Sequence, residues 1–496
     1  MFKLRSKIEE LFGIDLRGLA AFRVALALVY LCDLIVRATD LRALYTDEGI
    51  LPRIAHLQTY QDPWFLSINM ISGAAPIQIL LFIIAGLAGA ALLVGYRTRL
   101  ATVIAWFLIL SLDARNPIVL GEGVFIRILL FWGMFLPLGA SYSIDRARNN
   151  SREKIPTRIL SMATAALLLQ VALIYFCAAG HKLKSVEWVN GTAIFNSLNY
   201  DPLVKPFGSS LLPYRELMKF VNDAVLGIEW GGAILLFCPV FTTPVRLIAI
   251  LGFILFQLAL WLCFELGPLV GSMIVAMIPF VPTPAWDYFV RKLTSSRWKV
   301  DYDWWSRFCK KILLKRSRPF LTFYPMKVKP SLLNTALVAI SFLYVVISNA
   351  SSFWNYRIPY TFSRFGGSML WMNQDWTMFA PPPQSGGWNV IEGRQKNGIS
   401  VDLFNEGKPL SWERPRLISK TFKSQLWRKY WMRIIEPGYE IPRAYYADYL
   451  CREWNAHRSG EDRLAEIELF QMQIDILPPD QVSQPYPVSY GKYPCA

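Results

Sequence analysis

Long apolar runs constrain the fold of this chain more than any other feature of its sequence. Runs of about 18 or more apolar residues are typical of helices that cross a bilayer. The sequence therefore predicts an all-α polytopic membrane bundle of about nine transmembrane helices. The predicted helices lie near residues 18–37, 76–95, 99–113, 122–140, 158–180, 223–240, 244–264, 266–283 and 331–350. The third and eighth are short, which favours broken or re-entrant helices there.

The apolar character ends after Ala350, and the rest of the chain reads as a separate domain. Asn397 and Gly398 lie between two alternating runs, a pattern typical of a β-hairpin. The patterns further predict helices near 423–435 and 443–457, a strand near 466–477, and an irregular tail from Pro478. We therefore expect a transmembrane domain, 1–350, followed by an α+β or β-rich domain, 351–496.

The distribution of charge predicts an orientation. The net charge is +16, and the basic residues cluster at the N-terminus and in loops near 97–99, 146–158, 246 and 291–318. With nine crossings these segments share one face, which the positive-inside rule assigns to the cytoplasm. We expect a cytoplasmic N-terminus, an extracytoplasmic C-terminal domain, the lipid bilayer as a partner and no nucleic acid. The charged, amphipathic residues 1–18 lack a signal-peptide cleavage pattern, so no cleavable signal peptide is expected.

A histidine and a lysine follow the fifth apolar run at the point where its helix leaves the hydrocarbon. Lys182 follows His181 there, and burial of a lysine lowers its pKa and frees an amine that can act as a base. The alternative is a lysine whose ammonium snorkels to the lipid head groups. Lys184 is a second candidate in the same segment. The structural interpretation of His181 is an interfacial histidine bonded to backbone.

Other polar residues fall at membrane depth, where an unpaired charge is costly. They form either buried ion pairs, such as Arg127 with Asp113 or Glu265, or a polar floor for a substrate carboxylate or a quinol oxygen. Trp376 precedes a proline-rich turn and is either an interfacial anchor or one wall of a site mouth. The candidates for substrate or quinone binding are Asp113, Arg115, Asn116, Glu122, Arg127, Glu265 and Trp376; Arg23, Asp33 and Glu229 are further intramembrane charges.

Cysteine and histidine usage favours neither a metal centre nor a redox motif. The chain has seven cysteines and three histidines and no CxxC pair, so no metal is predicted. Cys451 and Cys495 both fall in the last domain and can form a disulfide if that domain faces an oxidising compartment. Nucleotide-binding, serine hydrolase and zinc protease signatures are missing from the sequence, which disfavours those three classes.

Four stretches of sequence together resemble one membrane protein family. They are Tyr45–Arg53 (YTDEGILPR), Phe131–Gly139 (FWGMFLPLG) with Ser143-Ile144-Asp145, Ala179–Leu183 (AGHKL) with Trp188 and Gly191, and Gln374–Pro381 (QDWTMFAP). In this order they are similar to the HTTM proteins, bacterial relatives of the vitamin K-dependent γ-glutamyl carboxylases. The resemblance covers most of the chain and implies a polytopic membrane fold.

The resemblance also implies a reaction. In the carboxylases a neutral lysine deprotonates reduced vitamin K, and the oxygenated product removes a γ-proton from a peptide glutamate, whose carbanion attacks carbon dioxide. It assigns the lysine role to Lys182, because the Lys-Leu pair matches, with His181 beside it. It implies reduced vitamin K or another quinol, O2 and CO2 as co-substrates, and a secreted peptide or small carboxylate as substrate.

The chain departs from the carboxylases at one position. The animal enzymes use a histidine in the loop before their fourth span, and here that loop reads RNPIVLGEG. Glu122 or Asn116 would have to replace it, or the reaction differs. The alternative function is a non-catalytic membrane factor for maturation or export of a secreted peptide. A transporter is disfavoured because no inverted repeat is evident.

Overall fold

Helices dominate the fold. The structure is a computed structural model that describes residues 2–60, 66–119, 123–148, 156–295, 331–478, 481 and 483–495. Part of the predicted basic loop 291–318, and Glu122, lie outside the described residues. The helices are Phe2–Phe12, Leu16–Thr39, Leu41–Tyr45, Arg53–Thr59, Ala75–Val94, Thr98–Arg115, Gly123–Gly133, Ile144–Arg148, Met162–Lys182, Val186–Val189, Ala193–Leu198, Pro206–Ser209, Arg215–Leu226, Gly232–Leu235, Thr242–Cys263, Pro268–Met277, Thr283–Ser295, Leu332–Trp354, Tyr360–Ser363, Gln425–Ile434 and Glu440–Asn455.

Within the described residues, five helices are long and apolar enough to cross a membrane. They are Leu16–Thr39, Ala75–Val94, Met162–Lys182, Thr242–Cys263 and Leu332–Trp354. A sixth crossing is possible if the pair Pro268–Phe280 and Thr283–Lys292, bent by 99°, counts as one span. This break coincides with the prolines of the eighth predicted window, which interrupt helical hydrogen bonding. The chain is thus an integral membrane protein with several apolar helices.

The remaining predicted windows fall on shorter or interrupted helices. Thr98–Arg115 carries three charged residues, and Gly123–Gly133 ends well before residue 140. The sixth window, near 223–240, begins earlier in the structure, because the polar helix Arg215–Leu226 continues into it. That helix passes through a π-helical turn, Gly227–Gly231, before its last turn, Gly232–Leu235.

The loop that contains Gly139 and Asp145 has a clear structural role in the bundle. The Asp145 carboxylate accepts hydrogen bonds from the backbone N–H groups of Arg97 and Thr98, both at 2.7 Å. It therefore satisfies orphan donors at the start of helix Thr98–Arg115. Gly139 approaches the same point so closely that a Cβ there would meet Thr98 Oγ1 at 2.6 Å. These contacts account for Gly139 and Asp145 of the second motif without invoking a reaction.

The C-terminal region contains an antiparallel five-stranded sheet, which confirms the predicted β-rich character. Its strand order is β5-β4-β3-β6-β7. A separate two-stranded ladder pairs β1 with β2. The strands are β1 Ile14–Asp15, β2 Arg158–Ile159, β3 Ser385–Gln395, β4 Ser400–Asp402, β5 Lys408–Pro409, β6 Leu464–Asp475 and β7 Tyr486–Pro494.

The end of the chain differs from the prediction. The hairpin at Asn397-Gly398 forms between β3 and β4, and β6 matches the predicted strand closely. The predicted irregular tail is wrong for Tyr486–Pro494, which pairs with β6 as edge strand β7. Its two prolines occupy an edge, where a missing N–H is tolerated. Cys495 then forms a disulfide with Cys451 of helix Glu440–Asn455, with sulfurs 2.01 Å apart.

The C-terminal region packs against the end of the bundle that holds Lys182. The Arg428 guanidinium donates to the carbonyl of Glu265 at 2.5 Å, and the Lys423 ammonium lies 3.3 Å from the Asp40 carboxylate. Tyr430, on the same helix as Arg428, is fully buried. The sheet and its helices therefore cover this end of the membrane-embedded helices.

Candidate functional site

Lys182 lies in a buried ion pair at the end of its helix. Helix Met162–Lys182 begins with a capping box formed by Ser161 and Thr164, and it runs for 21 residues before it ends at the lysine. The ammonium lies 2.6 Å from both carboxylate oxygens of Glu229. The Lys182 and Glu229 side chains are 6% and 4% exposed. The lysine therefore does not snorkel to the surface.

The π-helical turn presents Glu229 to the lysine. Gly227 and Gly231 flank the turn, and a Cβ added to either would meet no atom within 4 Å. An extra residue in one helical turn changes the direction of the side chains that follow, and such bulges are frequent at functional sites. Trp230, next in the turn, packs on Phe176 of the lysine's helix with ring centroids 6.1 Å apart. The π-helical turn thus directs the Glu229 carboxylate towards Lys182 on the neighbouring helix without a break in the chain.

Aromatic residues also enclose the ion pair of Lys182 and Glu229. The Lys182 ammonium lies 5.3 Å from the ring centroid of Trp188, within cation–π range. The Trp188 indole N–H donates to the carbonyl of Phe379 at 2.6 Å, and the Phe379 ring packs on Phe264 at 5.5 Å. The segment after Trp376 therefore covers the ion pair from the outer domain.

His181 and Lys184 point away from this pair. His181 Nε2 lies 3.3 Å from Ser352 Oγ, which donates to the exposed Asp375 carboxylate at 3.0 Å. The Lys184 ammonium lies over the Phe353 ring and donates to the Phe353 carbonyl. Lys184 is exposed, so it does not share the enclosed position of Lys182.

A second buried ion network lies between the helices Leu16–Thr39, Thr98–Arg115 and Gly123–Gly133. Arg37 donates to Asp33 at 2.7 Å and to Asp113 at 2.9 Å, and it also donates to the Tyr45 hydroxyl at 3.1 Å. Arg127 pairs with the other oxygen of Asp113. The four charged side chains are at most 4% exposed. Of the two predicted partners of Arg127, Asp113 and Glu265, it is Asp113 that forms the ion pair.

The other sequence candidates are dispersed. Arg115 donates to the carbonyls of Leu51 and Thr46, at 2.8 and 3.2 Å, and Asn116 donates to the Leu44 carbonyl at 2.9 Å. These bonds attach the YTDEGILPR loop to the end of helix Thr98–Arg115. Glu265 lies 3.6 Å from Lys205 and is half-exposed, away from Arg127.

Trp376 supports the segment that enters the outer domain. Its indole N–H donates to Gln374 Oε1 at 3.3 Å, and its ring packs on Phe125 at 5.0 Å. Gln374 and Gln170 exchange reciprocal amide hydrogen bonds at 2.9 and 3.0 Å. Trp376 thus belongs with Arg127 and the bundle core rather than with Lys182.

Sequence reasoning missed two relations. Arg37 is four residues after Asp33 on one helix, a spacing at which opposite charges meet, so the pair was readable from the sequence. Glu229 was recognised as an intramembrane charge, but its pairing with Lys182 was not predicted, because the π turn that directs it has no simple sequence signature. Among the described residues, no group of three or more His, Cys, Asp or Glu side chains could hold a metal ion.

Comparison with known proteins identifies the family. The HTTM domain model matches residues 13–286, which include the lysine, its glutamate partner and the whole arginine–aspartate network. No curated protein and no solved structure matches the chain. Because the match covers more than half of the 496 residues, the chain belongs to the HTTM domain family, whose domain is found in vitamin K-dependent carboxylases.

Proposed function

We propose that this protein is a membrane enzyme related to the γ-glutamyl carboxylases, in which Lys182 is the base. The observation that supports this best is the pairing of a buried lysine with a single buried carboxylate, that of Glu229. Lysine can release its proton when it is held away from water, whereas a guanidinium cannot. An amine at this position therefore has the chemistry that a base needs.

Glu229 is the group that can relieve Lys182 of its proton. The two are in direct hydrogen-bond contact, so a proton shift converts an ion pair into a neutral amine and a carboxylic acid. Loss of both charges removes the desolvation cost that two ions incur in an apolar site. Once the acid turns away or releases its proton, the amine can accept one from a substrate.

The co-substrates in this proposal are reduced vitamin K or another quinol, O2 and CO2, with a peptide or small carboxylate approaching from the outer side. Trp188 and Phe379 offer flat apolar contacts for a ring beside the amine. Asp113, Arg127 and Trp376 were also proposed as quinol ligands. Gln170, which binds the Trp376 segment, is more than three turns before Lys182, about 18 Å along the helix axis. A ring held there would not reach the base, so the reacting ring binds beside Trp188.

The topology in this proposal has nine crossings, a cytoplasmic N-terminus and an outer C-terminal domain. It rests on the basic loops, which all share one face when nine segments cross. Single cysteines at residues 60 and 97, labelled from outside intact cells with an impermeant reagent, should react at 60 only. Labelling at 97 alone would show that the orientation is the opposite of the one proposed.

The activity can be tested with the purified full-length chain in lipid nanodiscs. A panel of reduced quinones, O2, labelled CO2 and glutamate-containing peptides should give O2 consumption, quinone epoxide and peptide-bound label. Lys182→Ala should abolish all three. Lys184→Ala, which removes an exposed lysine two positions along, is the matched control and should retain them. Activity that survives Lys182→Ala, or no turnover across the panel, would reject the proposal that the protein is this enzyme.

A second candidate is a non-catalytic membrane factor for maturation or export of a secreted peptide. The observation that favours it is the closed geometry of the ion pair, whose lysine contacts both carboxylate oxygens beneath an aromatic cover. This role predicts that the double variant Lys182→Met, Glu229→Leu keeps its cellular function and that a secreted peptide co-purifies with the protein. The enzyme proposal instead predicts that the same double variant loses its cellular function.

A further inference from the structure

A polar cavity of about 300 Å³ lies where the C-terminal region meets a loop of the bundle. Asp201 and Val204 line it on the bundle side, and the segment that contains Arg414 and Arg416 lines the other side. A hydrogen bond from Ser419 Oγ to the Val204 carbonyl, at 2.8 Å, joins the two sides. The volume is at the lower end of the range for small-molecule sites, so the cavity can hold a head group or a small anion.

Two arginines give the lining of this cavity an excess of positive charge. The Arg414 guanidinium donates to the Asp201 carboxylate at 2.7 Å, and its remaining N–H groups are available to a further acceptor. The Arg416 guanidinium forms no ion pair and no hydrogen bond with the residues that the structure describes. Two guanidinium groups therefore face one carboxylate, which leaves one unit of positive charge for a ligand.

The cavity lies beside the end of a membrane-spanning helix. Lys205, next to the lining residue Val204, donates from its backbone N–H to the Cys263 carbonyl at 2.8 Å. Cys263 ends the apolar helix Thr242–Cys263, whose 22 residues extend about 33 Å, enough to cross a hydrocarbon core of about 30 Å. The cavity is therefore at the level of the lipid head groups.

Exposed aromatic side chains lie close to the cavity. Phe207, two residues before the lining residue Ser209, is 51% exposed, and Trp261, in the last turn of the spanning helix, is 53% exposed. The Lys205 ammonium, 3.6 Å from the Glu265 carboxylate, also donates to the Trp261 carbonyl at 2.7 Å and holds the loop on this end of the helix. Such aromatic residues are typical of the boundary between hydrocarbon and head groups. Apolar surface beside a basic cavity suits a ligand with both an acyl chain and an anionic head.

We propose that this cavity binds the phosphodiester head group of an anionic phospholipid. The single negative charge of a phosphodiester matches the excess charge of the lining, whereas a phosphate monoester carries about 1.5 to 2 negative charges at pH 7. Its tetrahedral oxygens can accept from Arg414 and Arg416 at once, whereas one guanidinium fork satisfies the planar carboxylate of an acidic peptide. A cationic substituent such as choline would cancel the charge of the lipid and leave that of the lining uncompensated.

This site is independent of the chemistry proposed at Lys182. Lys182 does not line the cavity, and its ammonium contacts Glu229 beside the ring of Trp188. Lys182→Ala should therefore bind the lipid like the unmodified chain, and loss of lipid binding makes no prediction about the base. The two proposals can fail separately.

Native mass spectrometry of the full-length chain tests the proposal. Purified protein, delipidated in a nonionic detergent, is titrated with dioleoyl phosphatidylglycerol, and the populations of lipid-free and singly bound protein give a Kd. Dioleoyl phosphatidylcholine, oleate, glycerol phosphate, inorganic phosphate and a glutamate-rich peptide are titrated in the same way. We expect phosphatidylglycerol to bind at least about tenfold more tightly than each of the others, because each lacks the acyl chains, the phosphodiester or the net charge.

Variants of the lining should shift this Kd in opposite directions. Arg416→Gln removes a cation without a partner among the described residues, so it should weaken phosphatidylglycerol binding about tenfold and break no native ion pair. Asp201→Asn frees Arg414 from its carboxylate and should tighten binding. Ser209→Trp fills the half-buried wall and should remove the tight site even if Asp201→Asn fails to fold. Arg458→Gln, which removes an exposed arginine outside the cavity, is the control and should leave the Kd unchanged.

Four results would overturn the proposal. Equal binding of phosphatidylcholine would show that charge does not select the ligand, and equal binding of oleate or of the acidic peptide would remove the need for a phosphodiester. Equal binding of inorganic phosphate or glycerol phosphate would assign the site to a soluble anion. Unchanged binding of phosphatidylglycerol to folded Arg416→Gln or Ser209→Trp protein would place the lipid elsewhere.

Discussion

The bundle contains two buried ion networks that are alike in charge balance and burial but different in composition. Lys182 and Glu229 form an isolated pair, in which neither side chain has a second ionic partner among the residues that the structure describes. Asp33, Arg37, Asp113 and Arg127 form a chain, in which Arg37 and Asp113 each bind two charged partners. Both networks join helices that are distant in sequence.

The difference in cation decides what each network can do. An arginine stays protonated in proteins, so the four-membered chain has one charge state and acts as a scaffold. A lysine beside a carboxylate has two states of the same net charge, related by movement of one proton. Chemistry is therefore expected at the smaller network, and rigidity at the larger one.

The largest effect should follow from Asp113→Asn. The change leaves the Arg37 and Arg127 guanidinium groups without their shared carboxylate, and neither can become neutral. We expect the free energy of unfolding to fall by about 3–5 kcal/mol, measured by denaturation in detergent micelles. Asp448→Asn, in an exposed ion pair with Arg452, is the control and should cost less than about 1 kcal/mol. Equal effects in the two variants would refute the scaffold role.

Glu229→Gln should cost less than Asp113→Asn. Lys182 loses its carboxylate, but a buried lysine without a partner can become neutral, whereas a guanidinium cannot. We expect a loss of about 1–3 kcal/mol, the cost of one poorly satisfied buried group. Lys182→Met, Glu229→Leu should recover most of it, because both polar groups are then gone. A Glu229→Gln loss as large as that of Asp113→Asn would mean that Lys182 cannot give up its proton.

The helical part of the fold was largely readable from the sequence, and the reason is local. Windows such as 76–95 and 244–264 match the helices Ala75–Val94 and Thr242–Cys263 closely, because apolar length alone defines them. The window near 223–240 is displaced, because the amphipathic helix Arg215–Leu226 has no such signal. Strand β7 was missed, because its pairing with β6 depends on contacts distant in sequence.

The candidate site was only half readable. Lys182 was located from its position at a helix end, and its burial follows from the fold. Its partner Glu229 is contributed by another helix, through a π turn whose phase depends on tertiary packing. The hydrogen bond from Arg127 to the Trp371 carbonyl also requires the segment Leu370–Gln374 to fold back on the bundle. Such long-range relations have no periodic signal in one sequence.

Lys429 allows a smaller test of the contrast between a buried lysine and a buried arginine. It is a titratable lysine beside the arginine–aspartate network. Burial, followed by the charge of Arg37, lowers the pKa of Lys429 to about 7, while Asp33 and Asp113 oppose this and Arg433 adds to it. Below pH 7 the folded and unfolded states both hold the proton, and the burial cost is complete. Above pH 7 the unfolded state binds more protons, so stability rises towards pH 10.5.

The expected gain for the unmodified chain between pH 7 and pH 8 is about 1 kcal/mol relative to Lys429→Met. It is measured as the difference in unfolding free energy of the two proteins at each pH. Lys423→Met, which removes an exposed lysine near Asp40, is the control and should show no such pH-dependent difference. A difference that is flat or falls from pH 7 to pH 8 would contradict the lowered pKa.

The smallest effect should come from Trp188→Phe, which sharpens the contrast at the smaller network. Phenylalanine keeps a ring under the Lys182 ammonium but loses the N–H that binds the Phe379 carbonyl. Because Phe379 is half-exposed, water can replace the donor, and the stability loss should stay below about 1 kcal/mol.

If the aromatic cover controls access to the amine, Trp188→Phe should also speed reaction of Lys182 with a small acylating reagent, measured by peptide mass spectrometry. Lys184, already exposed, should react at an unchanged rate in both proteins and serves as the internal reference. An unchanged Lys182 rate would mean that Glu229 alone protects the amine and that the cover has no gating role.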